Sequence, residues 1–97
     1  MAIDEFADCF ANKVSADVDS VKRLGAEEWK KLADWWHSLS DIDKAVILAI
    51  ATYGGSKIAA LLGLALGDVI AGAAIAFAGG ASWEILFNAA VECEGQL

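Results

Sequence analysis

Proline is absent from this chain of 97 residues, and no segment shows the alternation of apolar and polar residues that is typical of strands. Apolar residues recur instead at spacings of three and four, which is typical of helices. We therefore predict an all-α fold with a single domain over residues 1–97. The expected architecture is a compact bundle of about five to six short helices.

Histidine and cysteine are also scarce. His37 is the single histidine, and Cys9 and Cys93 lie near opposite ends of the sequence. This spacing does not suit metal ligation, so we expect no metal site and no cofactor. No potential nucleophile lies at a sequence spacing from His37 that is typical of a catalytic pair, and the glycines follow neither the phosphate-loop nor the dinucleotide pattern. We expect no catalytic residues and no enzyme activity.

The state of the two cysteines depends on how the terminal helices pack. A disulfide between Cys9 and Cys93 is an option if those helices lie side by side. In a reducing cytoplasm free thiols are the favoured state, and free thiols are what we expect here. The N-terminal residues carry early acids and no apolar run, which predicts cytoplasmic synthesis without a signal peptide. Secretion by another route and association with a membrane both stay open.

Basic residues are few, with seven against 14 acidic residues and a formal net charge of −7. Binding of nucleic acid depends on clustered Lys and Arg, so we expect no nucleic-acid partner. Residues 1–44 hold ten acidic and six basic side chains, whereas residues 45–97 hold four and one. This predicts acidic amphipathic helices over 1–44 and a hydrophobic helical region over 45–97.

The first part contains two predicted helices. The apolar spacing predicts one from Ile3 to Leu24, with a kink or break at residues 15–19 and an end at Gly25. A second runs from Ala26 to Ser38 and carries three tryptophans. Indole rings favour half-wet positions, so we predict that the tryptophans contact a membrane or a partner, with coverage of a small core as the alternative. The predicted contact residues are Trp29, Trp35, Trp36 and Trp83.

Apolar residues are abundant, at 58% of the chain against roughly 45–50% in average domains. Between Ala45 and Trp83 the only charged side chains are Lys57 and Asp68, and no polar face can be drawn. The segment must therefore be covered by protein, by other copies or by lipid. Ser40 is a predicted N-cap for a helix over Ile42–Tyr53, which we expect to be the hydrophobic, fully surrounded centre of the bundle.

The residues after Ser56 permit two alternatives. One is a single long helix over Ile58–Gly79 with a ridge of small residues for close helix packing. The other is a break at Gly67, with Asp68 capping a second short helix, which gives an Ala/Gly-rich hairpin; we favour it for a water-soluble form. A turn at Gly79–Gly80 and a last helix over Trp83–Cys93 follow. The helix-packing residues are Ala59, Gly63, Gly67 and Ala71.

This layout, amphipathic acidic helices followed by an apolar helical hairpin, resembles helical bacteriocins and colicin-type pore-forming domains. The resemblance covers roughly Ser40 to Cys93. Those proteins hold an apolar hairpin inside a water-soluble bundle and release it into a membrane. The resemblance implies membrane insertion and pore formation or disruption, with no catalysis.

The leading hypothesis is a membrane-active, toxin-like protein that inserts its apolar hairpin and assembles there as a homo-oligomer. Acid would lower the cost of burying Asp68, which makes that residue the candidate acid switch. The alternative is a soluble, oligomeric, acidic interaction module of immunity or regulatory type, with a protein partner. A third option is a small integral membrane protein with its N-terminus in the cytoplasm.

Overall fold

The computed structural model describes residues 2–78 and 82–97, and within these ranges the chain forms helices and no strand. The all-α prediction is confirmed, although the described helices number seven. They are α1 (Ala2–Val14), α2 (Val18–Leu24), α3 (Ala26–Ser38), α4 (Asp41–Tyr53), α5 (Gly55–Leu66), α6 (Asp68–Ala78) and α7 (Trp83–Cys93). A 3-10 turn, Glu94–Gln96, follows α7.

Local capping fixes where several helices begin. Asp17 accepts a hydrogen bond from the backbone N–H of Ser20 at 3.2 Å, and this cap starts α2 after a break at residues 15–17. Ser40 caps α4 through the N–H of Asp43 at 3.2 Å, and Ser82 caps α7 in the same way. Because each cap satisfies a backbone donor that has no partner inside the helix, these starts could be predicted from sequence.

Large aromatic side chains form the centre of the bundle, where α1, α3 and α7 meet. The indole N–H of Trp29 donates to the backbone carbonyl of Val21 at 2.7 Å, and that of Trp36 donates to Asn88 Oδ1 at 3.1 Å. Both indoles are therefore buried with their polar atom satisfied, as burial requires. The fully buried aromatic rings are Phe6, Phe10, Trp29, Trp36 and Phe87.

Cys9 and Cys93 form a disulfide, so the expectation of free thiols is wrong. The bond joins α1 to α7 across a sequence separation of 84 residues, with the two Cα atoms 5.8 Å apart. The helices pack side by side along much of their length, and this brings the two thiols within bonding distance.

The expectation that the helix over Ile42–Tyr53 is surrounded is also wrong. Among the residues of α4 only Ile47 is buried, while Ile42, Val46 and Tyr53 are exposed. The helix packs chiefly on α5 at the edge of the bundle. Its side chains are smaller than the aromatic rings of α1, α3 and α7, and those rings fill the centre.

α5 and α6 form the predicted hairpin, and the two-helix alternative is confirmed. Gly67 has a φ of +102° and lies between them, in a conformation that favours glycine. Its N–H donates to the carbonyl of Gly63 at 3.0 Å and closes α5. The small-residue ridge is thus divided: Ala71 is buried, Ala59 and Gly63 are half-buried, and Gly67 is exposed at the turn. The predicted turn at Gly79–Gly80 lies outside the described residues.

Reducing the disulfide should destabilise the protein strongly. A cross-link that closes a loop of this length contributes about 4–5 kcal/mol through the entropy of the unfolded chain. We expect a phosphine reductant to lower the free energy of unfolding by an amount of that order in urea titrations followed by tryptophan fluorescence. The double variant Cys9→Ala/Cys93→Ala is the control, and the reductant should not change its unfolding curve. Equal stability of the oxidised and reduced wild-type protein would contradict this role.

Candidate functional site

The most unusual surface of the molecule is made by α4, α5 and α6, which we call the apolar layer. Of the seven large apolar side chains that are exposed in the described structure, six belong to this layer. Leu64 on α5 is 91% exposed, more than any other. We call these six the apolar face: Ile42, Val46, Tyr53, Leu64, Val69 and Ile75. The concentration of exposed apolar side chains on these three helices favours an interaction of this layer with protein or lipid.

Charge is sparse on the same layer. From Ala45 to Ala78 the charged side chains are Lys57 and Asp68, both exposed and neither in an ion pair with a described residue. Asp68 is the first residue of α6, at the turn of the α5–α6 hairpin. The sequence predicts this residue to be the N-cap, which precedes the first helical residue, so α6 begins one residue earlier than predicted. Its carboxylate lies against Gly63, since a Cβ on Gly63 would come within 3.1 Å of Asp68 Oδ1. The hairpin tip thus carries a single negative charge.

The predicted tryptophan contacts divide into two groups. Trp29 and Trp36 are buried in the core, so neither reaches a membrane or a partner in this form. Trp35 and Trp83 are half-buried, and their rings pack on Phe87 with centroids 5.7 Å away in each case. Helical periodicity placed the tryptophans on one face but carried no information on what covers that face.

The apolar layer is attached to the other helices by apolar contact. Phe77 of α6 packs on Phe10 and Trp29, with ring centroids 5.8 and 5.5 Å apart. Lys44, at the start of α4, lies over the ring of Trp36 at 5.7 Å. Sequence reasoning missed the role of Phe77, although it is the only aromatic residue between Tyr53 and Trp83 and that isolation was a usable signal.

An open groove of about 540 Å³ separates the α1–α2 segment from α6. Apolar side chains, among them Leu24, Val69 and Phe77, line its floor, and Asp17, Ser20 and Arg23 are among its polar lining. Arg23 donates to Ser20 Oγ at 3.3 Å, and Ser20 in turn donates to Asp17. These three polar side chains of the groove therefore hydrogen-bond to one another.

A pair of carboxyl groups joins α3 to the C-terminal turn. Glu94 Oε2 is inaccessible to solvent and has no hydrogen-bond partner among the described residues, and Lys30 Nζ lies 3.8 Å from it. The neighbouring Asp34 carboxyl group, together with burial, raises the pKa of Glu94. The pKa of Asp34 is lowered by its hydrogen bonds with Glu94 and Lys30. The two pKa shifts therefore have opposite directions, as expected for a pair of interacting carboxyl groups.

Two further features of the described residues concern metal ions and membranes. Among the described residues, no group of three or more His, Cys, Asp and Glu side chains is arranged to hold a metal ion. No single described helix combines the length and the apolar character needed to cross a bilayer; one pair, Asp68–Ala78 with Trp83–Gln96, meets both criteria together across a bend of 114°.

Comparison of the chain with protein-family models, with curated protein sequences and with solved structures found no match. The functional interpretation therefore rests on the chain's own geometry.

Replacing Glu94 with Gln should stabilise the protein more at pH 7 than at pH 4. Because the pKa of Glu94 is raised in the folded state, the protonated form of this carboxyl group stabilises the fold. Its contribution to the free energy of unfolding is complete below the pKa of Glu94 in the unfolded chain and is lost as the pH rises through the pKa in the folded protein. Glutamine cannot ionise, and its amide can donate to Asp34 at either pH. Urea unfolding at both pH values measures the difference in unfolding free energy between variant and wild type.

The matched control is Glu92→Gln, which removes an exposed ion pair with Lys13, 3.0 Å away. It should produce no gain at pH 7. A Glu94→Gln variant that is less stable than the wild type at pH 7, or a gain that is larger at pH 4, would contradict the assigned direction of the pKa shift.

Proposed function

We propose that this protein is membrane-active: a water-soluble helical bundle that inserts its α5–α6 hairpin, with α4, into a lipid bilayer and disrupts it. The observation that carries the proposal is the apolar face, six large exposed side chains on three consecutive helices. The charged residues of these helices are confined to the first turn of α4, to Lys57 and to Asp68. Burying one such side chain completely is worth roughly 1.5–3 kcal/mol relative to leaving it exposed. The layer therefore has a substantial driving force towards lipid.

The dimensions of the hairpin favour disruption of the bilayer. With 12 and 11 residues, α5 and α6 are each about 16–18 Å long. The hydrocarbon core of a bilayer is about 30 Å thick, so a hairpin that enters tip first passes its midplane. Asp68 at the tip would then be the most deeply placed charge, at a cost of roughly 2.5–3.5 kcal/mol while ionised. This cost supports a requirement for acid.

The resemblance to helical bacteriocins and colicin-type domains agrees with this mechanism. The Cys9–Cys93 disulfide supports a location in oxidising surroundings, because structural disulfides persist there and are rare in the cytoplasm. We therefore propose that the protein acts outside the cytoplasm of the cell that makes it, as a secreted or surface-bound toxin-like protein. Its homo-oligomerisation in the membrane is part of the proposal.

The first test is release of a trapped dye from phosphatidylcholine vesicles by wild-type protein and by Leu64→Lys. Leu64 is almost fully exposed in the soluble form, so the substitution should leave the folded stability unchanged. In a membrane-inserted helix a lysine costs about 3 kcal/mol or more relative to leucine. We expect release to fall about tenfold or more, since each 1.4 kcal/mol corresponds to a factor of ten.

Ile85→Lys is the matched control. Ile85 is the one large exposed apolar residue outside the apolar layer, on α7, and its replacement should leave release unchanged. If wild-type protein releases no dye at any pH from about 4 to 7 and forms a defined soluble oligomer, the soluble interaction module replaces the membrane-active function. Unchanged release by Leu64→Lys would exclude α5 as the inserting element, and equal loss in both lysine variants would show that insertion is not confined to the apolar layer.

The acid dependence has its own variant, Asp68→Asn. Removing the charge at the hairpin tip should allow dye release at pH 7 to approach the level that wild-type protein reaches at pH 4.5. Asp8→Asn removes an exposed carboxylate on α1 and serves as the control, with an unchanged pH profile. An Asp68→Asn profile that matches the wild type would show that the acid requirement lies elsewhere.

A further inference from the structure

The directional bonds between helices are distributed very unevenly. In the described structure every disulfide, ion pair and side-chain hydrogen bond that joins two different elements runs among α1, α2, α3, α7 and the C-terminal turn. We call this set the frame. Its bonds are Cys9–Cys93, Lys13–Glu92, Lys22–Asp4, Lys30–Glu94, Trp29–Val21 and Trp36–Asn88.

No bond of this kind reaches the apolar layer from the frame within the described residues. The layer is held by the buried faces of α4, α5 and α6, by Phe77 against Phe10 and Trp29, and by Lys44 over Trp36. Apolar contacts are non-directional, and lipid tails are as apolar as leucine. A bilayer can therefore replace the apolar contacts that hold the layer. It offers no substitute for the bonds of the frame or for the contact of Lys44 with Trp36.

The frame also keeps most of the core. Of the 12 largest fully buried side chains, nine belong to it and three belong to the layer. The three are Ile58, Leu62 and Ile70. The layer is one continuous run of sequence between α3 and α7. The disulfide connects α7, which follows that run, to α1, which lies two helices before α3. Removal of the layer therefore leaves the frame connected through α1–α3 and through Cys9–Cys93.

We propose that the frame stays folded as a disulfide-closed unit while the apolar layer separates from it as one piece and enters the bilayer. The inference rests on the proposed function and adds which part of the chain moves. The groove between the α1–α2 segment and α6 has a volume of about 540 Å³. It lies between the frame and the layer, along the surface at which the two would separate.

Hydrogen–deuterium exchange followed by mass spectrometry tests the two units separately. Wild-type protein is compared free and bound to phosphatidylcholine vesicles at pH 4.5, under conditions in which dye release is complete. Peptides from α1, α3 and α7 should keep the same protection, while peptides from α4–α6 should change. Loss of protection in the frame peptides, with dye release intact, would overturn this inference and leave the membrane activity standing.

A cross-link across the groove gives a functional test. Ser20 of α2 and Ala76 of α6 both line the groove, so the pair Ser20→Cys/Ala76→Cys can be joined by a bismaleimide while the native disulfide stays oxidised. The joined protein should lose at least about nine-tenths of its dye release. The control, Ser15→Cys/Ser20→Cys, places the same linker between two groove residues of the α1–α2 segment and should release dye normally.

The outcomes separate the two proposals. Full release by the Ser20–Ala76 cross-linked protein would overturn the separation of layer from frame, and the membrane-active function would remain. Loss of release in the Ser15–Ser20 control as well would also count against separation, because a linker within one unit should not matter. No release from unmodified wild-type protein would overturn the proposed function and this inference with it.

Discussion

The covalent and hydrogen-bonded joint among α1, α2, α3 and α7 is the constraint on which the rest of this structure depends. Cys9 and Cys93 connect the first and last helices across 84 residues, and the indoles of Trp29 and Trp36 fix α3 against its neighbours through hydrogen bonds to Val21 and Asn88. Each of these bonds is directional. Together they select one arrangement of four helices, and the buried aromatic rings then fill the space between them.

The apolar layer obeys a different physical rule. The hydrophobic effect attaches the layer to the frame. This effect is proportional to the apolar area that is removed from water, and it does not depend on whether protein or lipid covers that area. Part of the layer is buried against the frame and part, the apolar face, meets water. The net charge of −7 opposes association of copies in solution. The exposed part therefore supplies a driving force for coverage by protein or lipid.

Acid acts on the two units in compatible directions. Because the pKa of Glu94 is raised in the folded state, protonation of this carboxyl group stabilises the contact of α3 with the C-terminal turn. Neutralising Asp68 at the hairpin tip removes the principal electrostatic cost of insertion. In the proposed mechanism acid therefore stabilises the frame and lowers the cost of transferring the layer into lipid.

Local chemistry in the sequence determined the helical fold and most helix ends. Helix caps and stops act within a few residues, so they can be recognised in the sequence without a structure. This holds for the caps at Ser40 and Ser82 and for the stops at Gly25 and Gly67. Only the tertiary structure decided which helices are central. A helix without a polar face, such as α4, has no periodic signal to show which side is buried. Likewise, the Cys9–Cys93 bond and the burial of Trp29 and Trp36 depend on contacts between residues far apart in the chain, and these are settled by which helices pack together.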